Sequence, residues 1–233
     1  LGIYFIQRAY KATIDHGLSI EQADAMLGRP IGLPKTAVFA LMDLVGIDLI
    51  PHVTGSLVSH LGENDPFHKI AGVGKDTITS MIDEGYTGRK GKGGFYRLNR
   101  ENGKKIKEAR SLITGEYKTA KRKAGFSSAK MGKRGIAEIM DCDDKGAEFV
   151  TDVLLDSLSY AAYIVPEVSE DIYAIDGAMK VGYNWKKGPF EMMDAIGPKS
   201  MVNRLNDSNK SVPPFLALAA EKGMFYGIDS GEI

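Results

Sequence analysis

The chain of 233 residues has a single cysteine, Cys142, so no intramolecular disulfide can form and nothing points to an oxidising compartment. It has no long hydrophobic run. Its longest apolar stretches, such as Ala37 to Met42, fall far short of the roughly 20 residues that cross a bilayer. No basic, apolar, small-residue leader opens it. Net charge is also missing, because 30 basic residues cancel 30 acidic ones, and the whole molecule has no long-range field to draw it to nucleic acid or an anionic membrane. The four histidines, His16, His52, His60 and His68, make no i, i+4 pair with an acidic neighbour, so no metal site is expected. Asp141, Asp143, Gly146 and Asp152 follow a calcium-loop spacing, but Lys145 takes a ligand position and the closing Glu is an Asp, which favours helix capping. These absences give the expectation of a soluble, cytoplasmic protein with no metal and neither nucleic-acid nor membrane partners.

What the chain does have is helical spacing. Ile3, Ile6, Tyr10 and Ile14 recur from the second turn onward with no Met or cap residue before them, and Leu1 is read as a cut in a longer polypeptide. Ser19 with Gln22 forms a capping-box pattern for a short helix ending near Leu27. Pro34 is expected at the first position of a helix that Gly46 ends. Further helices are expected over Asp48 to Leu61 and Lys75 to Glu84. The glycines from Gly85 to Gly94 then lead into Phe95 and Tyr96, and Asn102-Gly103 is a two-residue turn signal, giving a small β-hairpin near 95–107. From Arg97 to Arg134 there are 13 Lys and Arg against 3 Glu, with few large apolar residues, and the segment 99–134 is expected to be a partly ordered basic connector. Helices resume with a long one capped by Asp143 or Asp144 and stopped by Pro166. Others are expected over Glu170 to Lys180, Pro189 to Ile196, Pro198 to Leu205 and Pro214 to Lys222. The fold class is mostly α. Residues 1–98 form one unit and 135–233 a second, each large enough for its own core.

The two units are related. Phe39-Ala-Leu-Met-Asp-Leu-Val-Gly46 matches Phe190-Glu-Met-Met-Asp-Ala-Ile-Gly197 at a constant offset, with Phe, Met, Asp and Gly identical. Asp24-Ala25-Met26 lies upstream of the first, and Asp176-Gly177-Ala178-Met179 upstream of the second. Amphipathicity alone would match the apolar positions. It does not demand a carboxylate at Asp43 and Asp194, nor a helix-ending glycine three residues on at Gly46 and Gly197.

These residues carry a family resemblance. Gly88-Arg-Lys-Gly-Lys-Gly-Gly-Phe-Tyr96, with Gly93, Gly94 and Phe95 at its end, resembles the closing signature of the 3-hydroxyacyl-CoA dehydrogenase carboxy-terminal domain. Gly188-Pro-Phe-Glu-Met-Met-Asp194 resembles a second element of that domain, and Gly28 through Phe39 into Asp43 resembles its variant in long, multidomain bacterial members. The second copy lacks the Gly-Arg-Lys signature and keeps a faint echo in Gly223-Met-Phe-Tyr226. The resemblance implies two tandem helical domains that follow an amino-terminal Rossmann domain, with a crotonase-like hydratase domain often in the same polypeptide. It also implies NAD as the cofactor of the full-length enzyme, acyl-CoA as substrate and a homo-oligomer.

No G-x-G-x-x-G turn that opens a helix and no candidate general base is present, so neither catalytic nor cofactor-binding residues are expected in this chain. Pro34, Lys35 and Phe39 are the expected substrate-cleft residues. Asp43 and Asp194 are expected to bond backbone donors at a domain seam, and Phe39 and Phe190 to pack. The alternative is a non-catalytic helical scaffold or partner-binding module.

Overall fold

The computed structural model describes residues 1–100, 103–121, 124–165 and 167–227. Asn102 and Pro166, the expected turn and helix stop, lie outside the described residues. The first copy runs α1 (Gly2–Asp15), α2 (Ile20–Met26), α3 (Phe39–Val45), α4 (Leu49–His60), α5 (Lys75–Asp83) and the strand β1 (Tyr96–Asn99). After β2 (Ile106–Arg110), β3 (Tyr117–Thr119) and a short α6 (Ile136–Met140), the second copy repeats the helical order. It consists of α7 (Lys145–Tyr163), α8 (Ile172–Tyr183), α9 (Pro189–Ile196), α10 (Pro198–Asp207) and α11 (Pro214–Lys222). No single described helix is long and apolar enough to cross a membrane.

Local chemistry sets the helix starts. Ser19 and Gln22 form the reciprocal capping box that opens α2. Asp144 accepts from Ala147 N–H at 3.0 Å to open α7, and Pro189, Pro198 and Pro214 each take a first-turn position where no N–H is needed. The expected helix from Pro34 is shorter than its sequence pattern. Residues 35–38 form turns, Ala37 takes a left-handed φ of 47°, and α3 begins only at Phe39. The Asp24 carboxylate draws the N–H groups of Val38, Phe39 and Ala40 to itself, and this sets the helix start five residues beyond the proline.

The basic segment between the copies is more ordered than its composition implies. β2 pairs antiparallel with β1 (Tyr96 opposite Ala109, Asn99 opposite Ile106), and β3 adds to the far edge of β2 (Arg110 opposite Tyr117). The expected hairpin is thus the first half of a three-stranded sheet. Ser128–Lys133 forms a 3₁₀ turn closely packed on Arg29–Ile31, where a Cβ on Gly132 would come within 2.4 Å of the Pro30 carbonyl. Asp144 accepts from Ser127 Oγ, Ser128 N–H and Ser128 Oγ, which ties this turn to α7. Polar anchoring replaces the apolar periodicity that the sequence lacks here.

The copies share one core. α1 lies against α7, its counterpart, and the buried side chains of both copies form one continuous cluster, with a small satellite around Tyr4, Phe67 and Tyr160. Phe5 meets Trp185 edge-on at 5.2 Å, and Tyr4 stacks on Tyr160 at 3.9 Å. At the rim of this seam Arg8 pairs with Asp152 and Asp156, and Lys210 reaches the same two carboxylates at 2.9 and 2.7 Å.

Candidate functional site

Two aspartates in each copy close the domain in the same way. One Asp24 oxygen, on α2, accepts N–H bonds from Val38 (3.0 Å) and Phe39 (2.8 Å). The other accepts Ala40 N–H (3.1 Å) and the Tyr96 hydroxyl (2.9 Å). Asp43, on α3, accepts N–H bonds from Phe95 (2.7 Å) and Tyr96 (2.8 Å). In the second copy Asp176 accepts from Phe190 N–H (2.9 Å), Glu191 N–H (3.0 Å) and the Tyr226 hydroxyl (2.7 Å). Asp194 accepts from Phe225 N–H (2.7 Å) and Tyr226 N–H (3.0 Å). The faint echo Gly223-Met-Phe-Tyr226 is therefore the structural counterpart of Gly93-Gly-Phe-Tyr96. Asp43 and Asp194 do bond backbone donors, as expected, but within their own copy and not at a seam between domains.

Inside each lock sits a phenylalanine with no exposure. Phe39 packs against Tyr10 (5.4 Å) and Phe95 (5.1 Å), and Phe190 against Phe225 (5.1 Å) and Phe215 (6.0 Å). Of the three expected cleft residues, Lys35 is exposed, Pro34 is half-buried and Phe39 is sealed, so direct ligand contact is open to the first two only. Gly46 and Gly197 end the two Phe helices at φ 116° and 90°, a region that side chains rarely adopt.

The glycine-rich loop has no room for a dinucleotide. A Cβ on Gly94 would sit 2.0 Å from Asp43 Oδ1, and one on Gly88 would sit 2.5 Å from the Asp43 carbonyl oxygen. The space those glycines leave is already taken by protein atoms, and the loop runs into a strand with no helix N-terminus behind it. It is a packing element and does not fit a pyrophosphate cradle. Among the described residues no group of three or more His, Cys, Asp or Glu side chains gathers as for a metal.

Outside the lock of the first copy lie two adjoining grooves, of about 600 and 570 Å³, that share Ala40, Tyr96 and Lys107 as common walls. Lys35, Arg29 and Lys121 line one, and Arg89, Arg97 and Arg100 line the other. Lys107 Nζ stands 3.8 Å over the Tyr96 ring. Of these cations the sequence singles out only Lys35, as an expected cleft residue. Their convergence comes from β1 and β2 pairing beside α2 and α3.

The carboxyls divide into two groups by environment. Burial pushes Asp24 up to about 7 and Asp43 up to about 6, against their hydrogen bonds, and it raises Asp176 as well. At Asp152 burial is outweighed by hydrogen bonds from Lys210 and Arg8, which hold it at about 2. The signs are opposite. Asp152 contributes stability that is present above its unfolded value near 4 and lost as pH falls towards 2. Asp24 and Asp43 hold protons that the unfolded chain has released, so the pH-dependent part of their contribution is full below about 4 and is lost as pH rises through 6 to 7, while their hydrogen bonds remain. Urea unfolding at a series of pH values should place maximum stability near pH 5. In Asp152→Asn the acid-side fall should flatten, and a rise in wild-type stability from pH 5 to 8 would contradict the assignment.

A helical unit built twice around the same aspartate lock defines a duplicated helical domain. Residues 1–98 match the family model described as 3-hydroxyacyl-CoA dehydrogenase, C-terminal domain, so the first copy is a domain of that family. It is 34% identical over 219 residues to a Rickettsia felis protein named "Putative fatty acid oxidation complex trifunctional enzyme", covering 93% of this chain and 29% of that protein. A protein of the same name from Rickettsia prowazekii is 31% identical over 221 residues, which cover 93% of this chain and 30% of that one. A Bacillus subtilis protein named "Probable 3-hydroxyacyl-CoA dehydrogenase" is 30% identical over 240 residues, covering 100% of this chain and 30% of that protein. The chain thus spans about 30% of the length of these relatives.

Proposed function

We propose that this chain is the helical part of an enzyme that oxidises (3S)-3-hydroxyacyl-CoA to 3-oxoacyl-CoA with NAD in fatty-acid β-oxidation. The observation that carries this reading is the family match over residues 1–98, followed by a second copy that repeats the same aspartate lock. The coverage of about 30% of each relative favours a longer polypeptide in which a Rossmann domain supplies the NAD site and the catalytic groups. A crotonase-like domain in the same polypeptide fits the trifunctional name of the Rickettsia relatives.

In this reading the helical part caps the active site, helps shape the acyl-CoA cleft through Pro34 and Lys35, and mediates domain and subunit contacts in a cytoplasmic homo-oligomer. It is inactive alone in this reading, which is supported by Asp43 filling the glycine loop that most resembles a cofactor turn. NADH-linked turnover of acetoacetyl-CoA should be absent from this chain and appear when the upstream Rossmann segment of the same polypeptide is added. Turnover by the chain alone would overturn the division of labour. A bound but silent mixture would favour a scaffold.

A further inference from the structure

Along the seam where α1 meets α7, a cleft of about 830 Å³ opens between the 66–70 turn of the first copy and the 209–214 loop of the second, and it shares no residue with either aspartate lock. Tyr160 and Tyr163 of α7, stacked at 6.2 Å, give it aromatic surface, and Ile70 and Val212 add aliphatic surface. Neither copy alone encloses it.

The charges that face this cleft do not balance. Its walls carry four cations, Arg8, Lys11, Lys69 and Lys210, against three carboxylates, Asp15, Asp152 and Asp156. Asp15 is paired with Lys11 at 2.7 Å, and both oxygens of Asp152 and of Asp156 are taken up by Arg8 and Lys210, with His16 also on Asp152. Asp65, outside the cleft walls, accepts the Phe67 N–H and the Tyr160 hydroxyl. Lys69 takes part in no ion pair among the described residues, so one positive charge is left over.

Two hydrogen-bonding groups in the same walls are also unused. Arg8 is 6% exposed and spends Nε on Asp156 and Nη2 on Asp152, while its Nη1 has no acceptor. Ser159 Oγ, one residue from Tyr160, has no partner either. Buried polar groups are rarely left unpaired, and here one from each copy lines one cleft. One unmatched positive charge, two unused donors and an aromatic surface are the complement of a small molecule with a single carboxylate on an apolar body.

We propose that the seam cleft binds a small apolar monocarboxylate, whose carboxylate accepts from Arg8 Nη1 and Ser159 Oγ beside Lys69 and whose body lies on Tyr160 and Tyr163. Arg8 comes from α1 and Ser159 from α7, so the site exists only where the two copies are joined, and a bound molecule bridges them. It does not depend on the proposed dehydrogenase function.

The test is calorimetric titration of the whole chain with benzoate and, separately, with benzamide, which keeps the ring and replaces the charged carboxylate by a neutral amide. Benzoate should bind about tenfold or more tighter, the worth of one charge-assisted hydrogen bond. Lys69→Gln combined with Ser159→Ala should weaken benzoate about tenfold, since an exposed ion pair and a hydroxyl donor are each worth roughly threefold. Arg8 is left in place because it holds the seam. Lys69→Gln alone, at an exposed turn residue, should weaken benzoate roughly threefold and keeps the test open if the double variant loses its helical circular dichroism. No measurable binding of benzoate overturns the site, as does benzoate binding that both variants leave unchanged. Benzamide binding as tightly as benzoate overturns the carboxylate assignment.

Discussion

Asp24→Ala should lower stability at neutral pH by about 4 kcal/mol or more, the largest loss expected from removing a polar side chain in this protein. Four donors lose their acceptor at once: the N–H groups of Val38, Phe39 and Ala40, and the Tyr96 hydroxyl. A buried donor left without a partner costs about 1–3 kcal/mol, and here four are stranded together. Asp24→Asn should lose about half as much, because its amide nitrogen can replace neither oxygen as an acceptor towards an N–H but its carbonyl keeps one. Tyr96→Phe should lose about 1 kcal/mol, since it removes one donor and leaves the carboxylate with three. In the second copy Asp176→Ala strands two N–H groups and one hydroxyl and should cost less than Asp24→Ala. Urea unfolding followed by helical circular dichroism measures all four. A loss below 1 kcal/mol for Asp24→Ala would show that water replaces the carboxylate and that the lock is not a stability element.

Much of this architecture is legible in the sequence because punctuation residues fix it locally. Pro189, Pro198 and Pro214 mark helix starts that the structure matches to the residue, and Gly46 and Gly197 mark the ends of the paired helices. The repeat is readable at Phe39 and Phe190 because the offset there is constant. At Tyr96 and Tyr226 it is readable only as the faint echo Gly223-Met-Phe-Tyr226, since the second copy lacks the glycine loop and reaches its tyrosine by a shorter path. Pro34 misleads for a tertiary reason. A carboxylate from another helix decides where α3 begins, and no local pattern encodes that donor set. The basic segment misleads in the opposite direction, because strand pairing and the bonds of Asp144 to Ser127 and Ser128 order a stretch poor in apolar residues. The grooves are the least legible feature. Their cations come from the turns after α2, the glycine loop and two strands, and only the fold brings Arg29, Arg89 and Lys107 to one surface.

Phe39→Ala and Phe190→Ala should each cost about 3–5 kcal/mol, the usual range for deleting a fully buried ring. Their combined behaviour tests how the copies are joined. Two tandem domains with separate cores would melt independently, and Phe190→Ala would split the unfolding curve by lowering one transition and leaving the other in place. The structure argues for a single transition. Phe5 of α1 packs on Trp185, Tyr4 stacks on Tyr160, and the buried side chains run without a break from Tyr10 and Phe39 to Phe149 and Phe190. Neither copy can unfold without exposing the face that the other covers. Each substitution should therefore shift one cooperative transition to lower urea and leave its slope, which scales with the surface exposed, unchanged. Two resolved transitions in Phe190→Ala, the upper one at the wild-type midpoint, would mean that the shared core is a contact between independent domains.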